Sequence, residues 1–251
     1  MAQLIAVNAV HAGSGVSTIV ANVAALLAST TPSLRVGVVD ACLSAPTLHL
    51  LFGLRQAAFR FTLNDHLAGR CRLEEAVHEA PGSPALLLVP ANPDPSAAAA
   101  ASRLAYNVEA LGTSCQQLAA DLGLDVLLID TEAGLPPSTL VCLAAAHTAL
   151  LVLALDKQNY QAAARTVAVV EHFAAMRRRI AVNLASPSLS NDSIGRQVAQ
   201  NFGWDVGAIV PYCDELLALG SASLFALRYP DHPVTAIYRQ MAHDLIAGQG
   251  L

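Results

Sequence analysis

Residues 4–18 run Leu4-Ile5-Ala6-Val7-Asn8-Ala9-Val10-His11-Ala12-Gly13-Ser14-Gly15-Val16-Ser17-Thr18 and fall into three parts by composition. Leu4–Asn8 is a short apolar run that suits a buried strand. His11–Gly15 is a Gly/Ser turn, in which Gly13 and Gly15 allow a positive φ or a close backbone approach. From Val16 to about Ser29, the residues Val16, Ile19, Val20, Val23 and Leu27 share one side of a helix. Strand, glycine turn and helix in that order aim backbone N–H groups and the positive helix end at an anion. Ser17 and Thr18 stand in the first helical turn, where a hydroxyl reaches a phosphate or Mg²⁺.

Outward from this unit the same alternation repeats. Strand signals recur at Arg35–Asp40, Ala85–Val89, Asp125–Asp130, Ala149–Leu155, Ile180–Leu184 and Val206–Val210. Helix-length segments lie between them, at about Ser96–Leu122, Pro137–Ala146, Gln158–Met176 and Asn191–Phe202. The strands are continuous apolar runs rather than alternating ones, as in parallel strands covered on both faces. The expected fold is α/β: one doubly wound domain over residues 1–251, with a mostly parallel sheet of about seven or eight strands flanked by helices. Pro90–Ser102, with its run of alanines, reads as a loop followed by a closely packed helix. The tail Gly248–Leu251 reads as frayed.

Composition narrows the function classes. The chain has 251 residues, 54% hydrophobic and only 13% charged. That means a large core under a thin polar coat, which suits a surface covered in an oligomer or complex. Net charge is −5, and Lys157 is the one lysine. A general DNA or anionic-membrane binder would show a basic field. The five cysteines, Cys42, Cys71, Cys115, Cys142 and Cys213, are scattered and contain no CxxC pair. This excludes a disulfide scaffold or zinc ribbon and points to a reducing compartment, hence a cytoplasmic protein. The start Met-Ala-Gln lacks a basic region, so no signal peptide is expected. Apolar runs are too short for an ordinary transmembrane helix.

Ligands of an open parallel sheet sit beyond the carboxyl ends of its strands. Two acids collect there. Asp40 closes the strand Arg35–Asp40, and Asp130 closes Leu127-Leu128-Ile129-Asp130. Beside a phosphate loop such acids hold Mg²⁺ directly or through water; otherwise they cap the next helix. The loop itself departs from G-x-x-x-x-G-K-[ST]. The eight positions read Val10-His11-Ala12-Gly13-Ser14-Gly15-Val16-Ser17, with Val10 for the first glycine and Val16 for the lysine.

These residues together resemble the MinD/ParA family of deviant Walker-A ATPases, over nearly the whole length. The family loop, Ser/Gly-Gly-Lys-Gly-Gly-Val-Gly-Lys-Thr-Thr followed by Asn-Leu-Ala, corresponds to Ala9–Thr18 followed by Asn22-Val23-Ala24. The family's Asp-x-Asp corresponds to Asp40-Ala41-Cys42, and its Asp-Thr-x-x-Gly to Asp130-Thr131-Glu132-Ala133-Gly134. Ser44–Leu54 is similar to the helix after the second strand, and Phe225–Thr235 to a segment of some MinD-like proteins. Asn183 and Pro211 match the family's adenine-side residues.

The resemblance implies ATP or ADP with Mg²⁺, held by His11, Ala12, Gly13, Ser14, Gly15, Val16, Ser17, Thr18, Asn183 and Pro211. Ser17, Asp40 and Asp130 would serve the metal. It also implies a homodimer, or a heterodimer with a related ATPase, and a protein cargo or regulator. Yet His11 stands where the family has the lysine that crosses the dimer interface, and Val16 where it has the lysine over the phosphates. Cys42 stands where it has the acid that positions water. Losing one charge-assisted contact costs roughly 1.5–3 kcal/mol, and an imidazole replaces a lysine in part, and only when protonated. The expectation is a pseudo-ATPase: a dimerising scaffold or nucleotide-responsive adaptor, with no nucleotide at all as one limit. A slow genuine ATPase is the alternative, and an enzyme using Cys42 as a thiolate nucleophile is another.

The remaining features read as structural. Arg177-Arg178-Arg179 suits a solvated helix C-terminus, with DNA contact as the rival. Ala236–Ala247 carries Ile237, Met241 and Leu245 on one side and Arg239 as its only formal positive charge, so it reads as a packing helix rather than a membrane anchor. His147, His172, His232 and His243 are far apart and imply no metal site. Trp204, Phe202 and Tyr212 read as core or pocket wall. Asp156-Lys157-Gln158 is a possible rim element without a role. Glu132 reads as a helix-start acid, with water orientation as the rival.

Overall fold

β1 (Gln3–Ala9) is buried along its entire length, as a strand with neighbours on both edges and helices on both faces must be. The computed structural model describes residues 2–31, 33–94, 96–97, 108–173 and 176–247. β1 lies between β5 (Val126–Thr131) and β6 (Thr148–Ala154), parallel to both. β2 (Val36–Ala41) pairs with β5 on one side and β4 (Ser83–Val89) on the other. β7 (Arg177–Ala185) and β8 (Asp205–Pro211) extend the sheet beyond β6. With β3 (His78–Ala80), antiparallel to β4 at the far edge, the sheet has eight strands in the order β3-β4-β2-β5-β1-β6-β7-β8. The chain leaves β1 toward β2, yet passes from β5 to β6 across β1. The crevice of this topology therefore opens at the carboxyl end of β1.

Two helices cover one face: α1 (Val16–Thr30) and the last helix, here α10 (Pro233–Ile246). Ile19, Val23 and Leu27 meet Phe225, Tyr238, Met241 and Leu245 there. Each such fully buried large apolar side chain stabilises by roughly 1.5–3 kcal/mol. The other face carries α3 (Leu63–Leu67), α4 (Leu111–Asp121), α5 (Pro137–Ala145), α6 (Lys157–Val170) and α7 (Asn191–Phe202). Its two clusters centre on Leu111, Cys115 and Leu127, and on Val167, Val198 and Trp204. α4 and α5 approach closely at Gly112, where an added Cβ would lie 2.8 Å from the Val141 carbonyl oxygen. The short helices α2 (Leu48–Leu51), α8 (Asp214–Leu219) and α9 (Phe225–Arg228) fill the connections. All five cysteines are free.

Several expectations shift. β3 carries no apolar run and pairs through its backbone, which is why composition misses it. The Ser44–Leu54 helix shrinks to α2. The helix expected over Gln158–Met176 ends at Val170, because Arg177-Arg178-Arg179 opens β7 instead of capping a helix. Those arginines are tied down. Arg177 donates to the carbonyls of Ala247 and Asp244 at 3.0 and 3.3 Å, Arg178 to that of Phe173 at 3.0 Å, and Arg179 pairs with Asp205 at 3.3 Å. Of the helix expected over Ser96–Leu122, the described residues include Ser96, Ala97 and the α4 end. Residues 98–107, with the rest of the alanine run, and the tail Gly248–Leu251 lie outside the described residues. The C-terminal helix packs as expected, starting earlier at Pro233. No described helix is long and apolar enough to cross a membrane.

Candidate functional site

The chain leaves β1 at Ala9 and enters α1 at Val16, and Gly13 and Gly15 hold φ of +82° and +90° between them. Gly15 is confined twice: by that left-handed backbone, and because a Cβ there would run into the side-chain amide of Asn183. No side chain caps α1 and no acid stands in its first turn, so its amino end offers its N–H groups to a ligand. Ser14 folds the loop on itself by donating Oγ–H to the His11 carbonyl at 2.8 Å.

A cavity of about 710 Å³ opens over this loop. His11 through Thr18 line one wall; Cys42, Ser44 and Thr47 line the second; Asp130, Glu132 and Pro136 line the third. The sequence thus brought together the loop, Cys42 and Asp130. Among the described residues lining the cavity there is no Lys or Arg.

Asp40 and Asp130 are register partners across β2 and β5, and both are fully buried. Burial pushes the Asp130 carboxyl up to about 7, and the nearby Ser17 hydroxyl pulls it back down. Its Oδ2 has no partner. Burial, then the neighbouring Asp130 charge, holds Asp40 well above the ordinary carboxylate range. Asp40 accepts the Leu48 and Cys42 amides at 3.2 and 3.3 Å, so it also braces the turn into α2. An orphaned, buried carboxylate oxygen beside a serine hydroxyl fits a hard divalent cation such as Mg²⁺.

Cys42 is half-buried and its thiol is pushed up to about 12, first by burial and then by Asp40, Asp130 and Glu132. It donates weakly to the Ala45 carbonyl at 3.6 Å. These surroundings hold the thiol protonated, the reverse of what an anion site would do for a nucleophile. Glu132 is neither free nor a simple helix-start acid. It accepts from the Ser44 amide at 3.1 Å and the Ser138 hydroxyl at 3.2 Å, joining the second and third walls.

Asn183 and Pro211 do not line this cavity. Asn183 is buried and donates Nδ2–H to the Ser14 carbonyl at 2.8 Å, propping the loop from below. The next residue, Leu184, is the one described non-glycine residue with positive φ, +55°. Such backbone in a leucine costs of order 1–3 kcal/mol and clusters at ligand sites. Pro211 lines a neighbouring cavity of about 460 Å³ with Ser186, Pro187 and Leu189. His11 lies exposed at the loop tip, toward Asp156. The Asp156 carboxyl is held down by the Asn159 amide and side chain, then by the Gln158 amide and His11. Asp156, roleless in the sequence, is thus the N-cap of α6 and faces the loop.

Two buried asparagines were not assigned to the site from sequence. Asn8 donates to Thr131 Oγ1 at 3.0 Å and to the Glu132 carbonyl at 2.8 Å, clasping the loops after β1 and β5. Asn22 accepts the Ala226 amide at 2.7 Å and donates to the Thr18 carbonyl at 2.8 Å, tying α9 to the first turns of α1. Each is a polar residue inside an apolar run, and that is the signal that marks it.

The superposition on solved structures settles the architecture. MinD of Pyrococcus horikoshii, solved complexed with Mg-ADP, matches with a TM-score of 0.85 at 19% identity, covering 100% of this chain and 98% of that one. The two share one fold. MinD in the MinC:MinD cell division complex of Aquifex aeolicus matches at 0.83 and 19% identity, over 98% and 96% of the two chains. In sequence, an uncharacterized ATP-binding protein of Methanocaldococcus jannaschii is 26% identical over 99% of this chain and 89% of its own length. The septum site-determining protein MinD of Synechocystis is 29% identical over 68% of this chain, and the match spans 60% of that protein. No protein-family model matches the chain.

Proposed function

We propose that this chain is a MinD/ParA-like regulatory or positioning protein that takes ATP or ADP as its Mg²⁺ complex and hydrolyses ATP slowly or not at all. The observation that carries this reading is the Ser17–Asp130 pair, set under an uncapped glycine loop that presents Val16 where a triphosphate needs a cation. The loop amides and the α1 amino end bind phosphate oxygens. Ser17 and Asp130 would hold Mg²⁺, with Asp40 behind them; the ion when bound neutralises phosphate charge. Mg²⁺ would favour the ionised form of Asp130 and offset the repulsion between that carboxylate and the phosphates, so the metal complex is the form that fits.

Hydrolysis is another matter. Phosphoryl transfer rests on positioning and charge stabilisation. Val16 is half-buried and supplies no donor. Cys42, with its proton held, supplies no acceptor to orient water. Glu132 has both carboxylate oxygens engaged across the cavity rim. The nucleotide would then act as a structural or switching ligand that orders the loop, Ser44 and α2 together. The output would be protein contact: a homodimer, a heterodimer with an active relative, or a cargo or regulator bound as MinC is bound in the Aquifex complex. A cytoplasmic setting suits the free thiols.

Calorimetric titration with ATP and Mg²⁺ tests this. Micromolar binding is expected, lost in Asp130→Ala, with turnover below about 1 per minute against the ~1 per second floor of ordinary kcat values. Faster turnover that Asp130→Ala abolishes would make the chain a working ATPase. Absence of binding would leave a scaffold that works without nucleotide.

A further inference from the structure

Cys213, Glu215 and His232 form the one group of three metal-ligating side chains whose donor atoms all lie within 4.8 Å of one another among the described residues. They lie apart from the loop cavity, on the face covered by α1 and α10. Cys213 follows β8 and immediately precedes α8, Glu215 stands in the first turn of α8, and His232 immediately precedes α10. We infer that these three side chains form a site for a borderline divalent metal, zinc above all, that pins the start of α8 to the start of α10.

The donor set argues for the ion. Thiolate, imidazole and carboxylate are the ligands zinc takes, and three of them plus water complete a tetrahedron. Hard cations would not choose the thiol. The spacing is close to what the ion needs. Ordinary Zn–S and Zn–O bonds at the tetrahedral angle put sulfur and oxygen about 3.6 Å apart. Cys213 Sγ and Glu215 Oε2 are 3.2 Å apart, with the thiol donating to the carboxylate. Cys213 is buried, His232 half-buried and Glu215 exposed, so the remaining position faces water.

The imidazole is held in place before any ion arrives. Its ring stands edge-on to Phe225 at 5.1 Å between centroids and near Tyr229 at 6.5 Å. Its Nδ1 accepts the Val234 amide at 3.1 Å, so the neutral ring carries its proton on Nε2. Ligation therefore exchanges that cap for the metal: the ring either turns Nδ1 to the ion or moves its proton to Nδ1 and ligates through Nε2. The Val234 amide, in the first turn of α10, is left to water. At Cys213 the S–H bond breaks, the sulfur lone pair forms the metal bond, and the proton passes to solvent.

Cobalt(II) is the direct probe, added to the full chain with excess Mg²⁺ to occupy hard-oxygen sites. The expected result is a thiolate-to-cobalt charge-transfer band that zinc displaces, present in Cys42→Ser and absent in Cys213→Ser. Zinc affinity should fall at least about 100-fold in Cys213→Ser and His232→Asn, beyond the usual cost of losing a mere supporting partner. The exposed Glu215→Ala, which removes the third ligand and leaves the core untouched, should lower it by a similar factor. The Val234 amide resonance should shift on zinc addition. A missing charge-transfer band, or one that survives Cys213→Ser, overturns the site.

Discussion

The side-chain amide of Asn183, at the end of β7, donates to the carbonyl oxygen of Ser14 at 2.8 Å and so holds the glycine loop from beneath. The same amide occupies the space that a Cβ on Gly15 would need. Loop and strand end are thus fitted to each other before any ligand binds. Asn183→Ala should leave the Ser14 carbonyl unpaired and cost about 1–3 kcal/mol in denaturant unfolding. Gly15→Ala should cost at least as much, because strain at positive φ is added to the clash. Both should weaken nucleotide binding in calorimetry, and an Asn183→Ala protein with unchanged stability would remove the propping role.

The buried carboxyls set a pH dependence. Asp130 titrates near 7 in the fold against the ordinary 3.8. Between those values the folded chain binds more protons than the unfolded one. The Asp130 contribution to the stability of the metal-free protein should therefore fall as pH rises from about 4 to about 7 and level off above. The span is of order 4 kcal/mol at most, with Asp40 acting in the same direction. Denaturant midpoints across pH 4–8 check this, after subtraction of the Asp130→Asn profile. Saturating Mg²⁺ should flatten the slope, because the ion stabilises the ionised form.

Much of this was legible from sequence because the strands are continuous apolar runs. Leu127-Leu128-Ile129-Asp130 announces both a buried strand and an acid at its carboxyl end, and β5 ends one residue later. β3 was not legible, since His78-Glu79-Ala80 owes its pairing to the β4 backbone rather than to its side chains. The arginines 177–179 misled because charge reads as helix end, while here backbone carbonyls and Asp205 receive it at the start of a strand. Within the site, the motif spacing is enough to place Gly13, Gly15, Ser17 and Asp130 around one cavity. It is not enough to give the role of Asn183 under the loop, because a spacing pattern cannot say which way a side chain turns at the end of β7.

Cys42 should be a sluggish thiol. With its pKa pushed up to about 12, it is ionised at pH 8 about a thousand-fold less than a free cysteine. Alkylation followed by peptide mapping should show it reacting correspondingly slowly. Asp40→Asn with Asp130→Asn should speed it, since both carboxylates raise the thiol pKa. Rapid labelling of Cys42 that nucleotide protects would instead support covalent chemistry at this position.

Restoring the missing charges separates binding from turnover. Val16 is half-buried at the cavity wall, so lysine there can reach out over the phosphates while its stem covers the same apolar surface. Val16→Lys should tighten Mg-ATP binding by about 10- to 100-fold, the worth of one charge-assisted contact. Turnover should barely rise, because no side chain yet orients water. Adding Cys42→Asp supplies that acceptor beside Asp40, and the pair should raise kcat by more than the product of the single changes. Equal kcat in the double and single variants would mean that the loop, and not these side chains, blocks hydrolysis.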